Sequence, residues 1–143
     1  SEFNKGNKKI ALLKMKEYLK KNPDDKEARF DFLVEKNNQK NFVEVKNVTL
    51  SREKSLAEFP DAVTTRGLKH INELLKASKK NYKIFILYLI QRQDCKTFKI
   101  AENIDINYKI AFDKAIKAGV KILCYDCKIN DEEVELNNQI ELV

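Results

Sequence analysis

The spacing of apolar residues along the chain predicts three helices. Apolar side chains recur three and four residues apart over the segments 9–21, 60–78 and about 105–118, which is the period of an amphipathic helix. Pro60 and Asp61 suit the first turn of the second helix, because proline lacks the N–H that a helix start leaves unpaired and a carboxylate favours the positive end of the helix dipole. Gly119 is the expected end of the third helix.

The remaining apolar segments predict strands. They are 29–35, 42–48, 82–90, 120–125 and a short edge strand at 134–136. A polar turn at 37–41 separates the first two, which predicts an antiparallel hairpin. The polar segment 51–59 and the irregular segment 91–103 predict loops. The order helix, strand, strand, helix, strand, helix, strand predicts one α/β domain with a mixed central sheet flanked by helices.

Composition and charge exclude several classes of protein. The chain has 143 residues and a net charge of +6. Its longest apolar run, 84–90, is far shorter than the roughly 20 residues that cross a bilayer. The absence of a signal region and the odd number of cysteines (three) predict reduced thiols, a cytoplasmic location and no membrane partner. Most cations are dispersed lysines, so the charge is compatible with nucleic acid without establishing it.

The predicted hairpin brings two carboxylates and a lysine together. Asp31 is expected to face Glu44 across the hairpin, with Lys46 on the same face as Glu44. Two close carboxylates repel each other unless a divalent cation lies between them, and the main-chain carbonyl of Val45 adds a third oxygen. An ammonium at Lys46 would then orient a metal-bound water or stabilise the charge that develops on a phosphate. The alternative is a solvated ion pair, which is the common meaning of Glu-x-Lys on a strand.

Three segments of the chain carry a family resemblance. They read RFDFL at 29–33, FVEVKNVTL at 42–50 and FPDAVTTRGLKH at 59–70. Together they resemble the sugar fermentation stimulation protein A family, and the match covers about residues 29–143. Members usually begin with a small OB-type β-barrel, for which this chain has no room. Residues 1–28 are therefore expected to hold a tag remnant and the first helix, and 29–143 a nuclease-like core.

The resemblance implies a fold, a catalytic set and a partner. The fold is the restriction-endonuclease-like PD-(D/E)xK fold, in which Asp31, Glu44 and Lys46 are the catalytic residues and Asp31, Glu44 and Val45 hold the metal, Mg²⁺ or Mn²⁺. The family is also described as DNA-binding and linked to sugar utilisation. The leading hypothesis is a metal-dependent nuclease-like domain that binds DNA. The alternative is a non-enzymatic DNA-binding regulator that retains the nuclease fold, with self-association into a homo-oligomer left open.

Further polar residues are candidates for a nucleic-acid or supporting role. The candidates for contacts with phosphate are Arg29, Asn47, Arg66 and His70, and the supporting candidates are Asp61, Thr64 and Gln91. Arg66 and His70 are four residues apart and share a helix face, where a solvated polar surface is the alternative. Asp61 and Thr64 have helix capping as the alternative. The Cys124-x-x-Cys127 pair lacks the further ligand pair of a zinc site and is expected to pack in the core.

Overall fold

A computed structural model describes residues 31–78 and 82–143, except for the side chain of Lys36. The predicted helix at 9–21 and the candidate Arg29 lie outside the described residues. Over the described part, the chain folds into two mixed sheets and two helices.

The larger sheet has five strands in the order β1-β2-β5-β7-β8. Its strands are β1 (Phe32–Lys36), β2 (Gln39–Val48), β5 (Lys83–Ile90), β7 (Lys121–Ile129) and β8 (Val134–Gln139). The central strands β2, β5 and β7 are parallel, and β1 and β8 are antiparallel edge strands. The predicted hairpin, the buried central strand and the edge strand near 134 are confirmed.

The turn of the hairpin is shorter than the sequence pattern predicts. Only Asn37 and Asn38 lie between β1 and β2, with φ angles of 52° and 61°. Asparagine tolerates this left-handed conformation, and two such residues form the turn that matches the twist of a hairpin. The polar residues 39–41 are therefore part of β2 rather than of a loop.

The second sheet lies where the sequence predicted loops. It has the order β3-β4-β6-β9, with strands β3 (Leu50–Glu53), β4 (Leu56–Phe59), β6 (Thr97–Ile100) and β9 (Glu141–Leu142). The loop predictions for 51–59 and 91–103 are wrong because both segments contain strands, whose charged residues pair with each other across the second sheet. Glu58 is buried in β4 and binds Arg52 of β3, so a polar pattern conceals a buried strand.

The helices are α1 (Thr65–Ser78) and α2 (Ile106–Lys117). The predicted start of α1 at Pro60 is wrong, because the helix begins only after Thr64, whose hydroxyl accepts a hydrogen bond from the Gly67 amide at 2.9 Å. Asp61 consequently lies exposed in the loop before α1 and not in its first turn. The predicted ends of both helices are confirmed, with α2 followed by Gly119 at a φ of 90°.

The core lies between the two sheets and the two helices. Alternate residues of β5 point into it, namely Ile84, Ile86, Tyr88 and Ile90. The ring of Tyr88 contacts Phe59 and Phe98 of the second sheet and Phe112 of α2. The α/β class with a mixed central sheet is confirmed, and the second sheet extends it. Within the described ranges, no helix is long and apolar enough to span a membrane.

Candidate functional site

The centre of the candidate site is the carboxylate of Glu44 on β2. It is 2% exposed, and its Oε1 accepts hydrogen bonds from Lys46 Nζ at 2.6 Å and His70 Nδ1 at 2.8 Å. Lys46 lies two residues along the same face of the strand, while His70 comes from α1. A buried carboxylate is costly unless cations or hydrogen-bond donors surround it. These two partners supply that compensation.

Asp31 lies beside this carboxylate, immediately before β1. The register pairs Phe32 with Val43, and continuing it by one residue places Asp31 opposite Glu44, as predicted. Asp31 is exposed, and its Oδ2 accepts a hydrogen bond from the Val45 amide at 2.8 Å. Because the N–H and C=O of one strand residue point to the same edge, the Val45 carbonyl is directed to the Asp31 side of β2. We refer to Asp31, Glu44, Lys46 and His70 as the Glu44 cluster.

The start of α1 fixes the position of His70. The hydroxyl of Thr64 caps this helix by accepting a hydrogen bond from the Gly67 amide at 2.9 Å. Gly67 allows a close approach to α2, because a Cβ there would lie 2.8 Å from the Thr64 side chain and 3.3 Å from the ring of Tyr108. His70 follows one turn later and so points back towards β2.

A buried carboxylate joins the starts of both helices. Asp105 Oδ2 accepts a hydrogen bond from the Thr64 amide at 2.9 Å, and its Oδ1 accepts one from the Tyr108 amide at 3.0 Å. A negative charge at two helix N-termini is stabilised by both helix dipoles. The sequence left Asp105 or Asn107 as the start of α2, and the structure has Asp105 as the capping residue before Ile106. Sequence reasoning gave no sign of the bond to Thr64, because the two residues are distant along the chain.

Two buried tyrosines lie behind the Glu44 cluster. Tyr88 of β5 is the register partner of Lys46, and its hydroxyl lies 2.7 Å from that of Tyr108. Burial raises the pKa of both hydroxyls, and the negative charge of Glu44 raises each further. Both phenols therefore stay protonated, which leaves them as structural partners and not as bases. Sequence reasoning missed this pair because Tyr88 lies inside an apolar run.

The structure brings some predicted site residues together and separates others. Arg66 is exposed on the first turn of α1, one turn before His70. Asn47 is exposed and alternates to the sheet face opposite Lys46. Gln91 is exposed just after β5, and its main-chain N–H donates to the Val48 carbonyl at 2.9 Å. That places it several residues along the sheet from Glu44.

A second charged group lies on the smaller sheet. Arg52 binds both oxygens of the buried Glu58, at 2.8 and 2.6 Å, and Lys99 lies 3.6 Å from the same carboxylate. The hydrogen bond from Arg52 lowers the pKa of Glu58, and the charge of Lys99 adds to this. A cavity of about 360 Å³ beside the pair contains no residue of the Glu44 cluster. We interpret this group as a structural ion pair, because its charges already satisfy one another.

The three cysteines, Cys95, Cys124 and Cys127, are buried thiols. Burial raises the pKa of the Cys124 thiol to about 12, which suppresses the reactive thiolate. Cys124 and Cys127 lie in β7, where they pack as small apolar side chains. This agrees with the core role that the sequence favoured over a zinc or redox site.

The Glu44 cluster offers oxygen ligands of the type that magnesium prefers. In the described part of the chain, no group of three or more His, Cys, Asp or Glu side chains is arranged to hold a metal. Asp31, Glu44 and the Val45 carbonyl form a smaller set of two carboxylates and one carbonyl. Mg²⁺ commonly binds through one or two carboxylates and completes its shell with water and phosphate. The types of these residues therefore fit a magnesium-type ion.

Comparison with known proteins identifies the family. Residues 3–133 match the family model described as "Sugar fermentation stimulation protein RE domain". The chain belongs to this family. A sugar fermentation stimulation protein homolog of Pelagibacter ubique (strain HTCC1062) is 56% identical over 119 residues, which are 83% of this chain and 51% of that protein. The homolog of Jannaschia sp. (strain CCS1) is 43% identical over 81% of this chain and 48% of its own length.

A solved structure of a family member has the same fold. The structure titled "The structure of Pyrococcus Furiosus SfsA in complex with Ca2+" superposes with a TM-score of 0.75 at 26% identity, over 81% of this chain and 50% of that one. This sugar fermentation stimulation chain thus spans about half the length of the relatives it matches.

Proposed function

We propose that this chain is a metal-dependent, nuclease-like domain that hydrolyses phosphodiester bonds in DNA. The observation that carries the proposal is the arrangement of Asp31, Glu44 and Lys46. Asp31, just before β1, accepts the Val45 amide at 2.8 Å, and Glu44 binds the Lys46 ammonium at 2.6 Å, so two carboxylates and one ammonium lie on adjoining backbone segments of the hairpin. Carboxylates that hold a divalent cation, with a lysine beside them, are the parts that metal-assisted attack of water on a phosphate requires.

Asp31, Glu44 and the Val45 carbonyl would hold the ion, Mg²⁺ or Mn²⁺. The ion would supply an activated water and neutralise charge on the phosphate. The Pyrococcus furiosus relative is a Ca²⁺ complex by its title, which supports a divalent cation in the family. Ca²⁺ and Mg²⁺ share oxygen ligands but differ in the geometry they demand.

Lys46 would act on the attacking water and the phosphate. Its ammonium lies 2.6 Å from Glu44 Oε1, and its side chain as a whole is 12% exposed, so it binds the carboxylate and keeps some access to solvent. From there a small movement of the flexible side chain directs an N–H to a water or to a phosphoryl oxygen. That donor stabilises negative charge as it develops on the phosphate.

Arg66 would bind the phosphate backbone of the DNA. It is exposed one helical turn from His70, and its planar guanidinium binds phosphate through two parallel hydrogen bonds. The net charge of +6 assists the approach of a polyanion. Arg66 therefore gives the proposed site a contact beyond the reacting phosphate.

A cleavage assay tests the proposal. Single- and double-stranded DNA are incubated with the protein in Mg²⁺, in Mn²⁺ and in a chelator. The proposal expects cleavage with metal only, lost in Glu44→Gln and Lys46→Met. Glu35→Gln and Lys128→Met, which change the same residue types at exposed strand positions, should retain it. Binding of DNA that never becomes cleavage would instead support the non-enzymatic DNA-binding regulator. Cleavage unaffected by Glu44→Gln and Lys46→Met would contradict the proposed site.

A further inference from the structure

We propose that His70 is a positioning residue that holds Oε1 of Glu44, so that Lys46 can leave this oxygen and act on substrate. The inference rests on the metal-dependent function proposed above. It gives His70 a role distinct from binding phosphate. The structural basis is a three-way contact, since Glu44 Oε1 lies 2.8 Å from His70 Nδ1 and 2.6 Å from Lys46 Nζ.

The contacts assign the proton of the imidazole ring. A carboxylate oxygen only accepts hydrogen bonds, so the His70–Glu44 contact requires a proton on Nδ1. Lys46 Nζ lies 3.3 Å from the same nitrogen. If Nδ1 carried no proton and accepted a hydrogen bond from Lys46, its lone pair would face the negative oxygen of Glu44, and the two would repel each other. The geometry therefore fixes Nδ1–H as the donor to Glu44.

Both donors meet the same oxygen of Glu44. Among the described residues, Lys46 and His70 both contact Oε1. This leaves Oε2 as the oxygen that a cation would bind. Hydrogen bonds of this kind orient a metal-binding carboxylate, and their loss commonly weakens metal binding by 10- to 100-fold.

The two donors differ in how firmly they are held. His70 has a short side chain on α1, whose start is fixed by the Thr64 cap and by Asp105. Lys46 has a long, flexible side chain that is 12% exposed. When Lys46 turns towards a water or a phosphate, His70 still satisfies Glu44. Without His70, the buried carboxylate would retain Lys46 as its remaining partner, and Lys46 would be less able to act.

Two substitutions separate positioning from simple packing. In His70→Asn the side-chain amide nitrogen takes the place of Nδ1, and in His70→Gln it takes the place of Nε2. The inference expects His70→Asn to bind Mn²⁺ within about 3-fold of the wild type. It expects His70→Gln and His70→Ala to bind at least about 10-fold more weakly. Free Mn²⁺ is measured by electron paramagnetic resonance, and circular dichroism checks that each variant is folded.

Nitrogen NMR gives a second test that needs no metal. The chain has one histidine, so its two ring nitrogens are observed without overlap from other histidines. The inference expects Nδ1 to carry a proton in the wild type. It expects the Nδ1 signal to shift in Glu44→Gln, where the carboxylate that accepts this proton is absent. A bare Nδ1 with the proton on Nε2 would overturn the assignment, as would equal Mn²⁺ affinities in His70→Asn, His70→Gln and the wild type. Absence of Mn²⁺ binding by the wild type would instead refute the proposed metal site, while the NMR result would still decide the tautomer.

Discussion

Replacing Lys46 by methionine should destabilise the protein far more than replacing Glu44 by glutamine. The Glu44 side chain is 3% exposed, and Lys46 supplies one of its two donors. Removing one partner of a buried pair typically costs 3–5 kcal/mol. Because His70 keeps one hydrogen bond to Glu44, we expect about 2–3 kcal/mol for Lys46→Met. Glu44→Gln removes the buried charge, and Lys46 can turn to solvent, so its cost should stay within about 1 kcal/mol.

The double variant isolates the interaction between the two groups. Once Glu44 is glutamine, there is no buried charge for Lys46 to compensate, so Lys46→Met should then cost little. The expected coupling energy is about 2 kcal/mol. Urea is the appropriate denaturant because it leaves ion pairs unscreened, and circular dichroism is the probe because the chain has no tryptophan. Lys128→Met, at an exposed position of β7, is the matched control and should change stability by less than about 0.5 kcal/mol. The reasoning would be refuted if the two single substitutions lowered the unfolding free energy equally and these losses simply added in the double variant.

Three further predictions concern the framework of the site. Asp105→Ala should lower the unfolding free energy by about 2–3 kcal/mol, because it removes two hydrogen bonds to helix starts. Urea unfolding of this variant, compared with Asp113→Ala, measures the loss. A loss below about 0.5 kcal/mol would contradict the prediction. Because the pKa of Glu58 is lowered in the folded protein, its contribution to stability is present above its unfolded pKa and is lost as the pH falls through the folded value. Between pH 7 and pH 3, the unfolding free energy should therefore fall less steeply in Glu58→Gln than in the wild type. An identical pH dependence in the two proteins would refute this prediction. The Cys124 thiol, with its pKa raised to about 12, should react with a disulfide reagent at pH 8 only as the protein unfolds, and a rapid reaction of the native state would count against its burial.

The hairpin and its carboxylates were predictable because strand periodicity is a local property. Alternation fixes which side chains share a face, and this placed Glu44 with Lys46. The expectation that Asp31 faces Glu44 followed from assuming a hairpin, and continuing the Phe32–Val43 register by one residue agrees with it. The strands β5 and β7 were predictable from their apolar segments, which form a nearly continuous run in β5 and the first half of β7.

The second sheet and the helix starts depend on contacts between distant residues. Glu58 looks like a solvent-exposed residue until Arg52 and Lys99 are placed around it. The start of α1 depends on Asp105, which is 41 residues away from Thr64. Periodicity carries no information about such partners. The same limit applies to His70, whose helix face was predicted but whose partner, Glu44, was not.

Binding of Ca²⁺ measured by calorimetry tests the central claim most directly. Ca²⁺ accepts the same oxygen ligands as Mg²⁺, and it allows binding to be measured apart from cleavage. The account predicts one ion per chain for the wild type and for the control Glu35→Gln, with binding lost or weakened at least about 10-fold in Asp31→Asn and Glu44→Gln. A wild type that binds no Ca²⁺, or binding that both site substitutions leave unchanged, would contradict it.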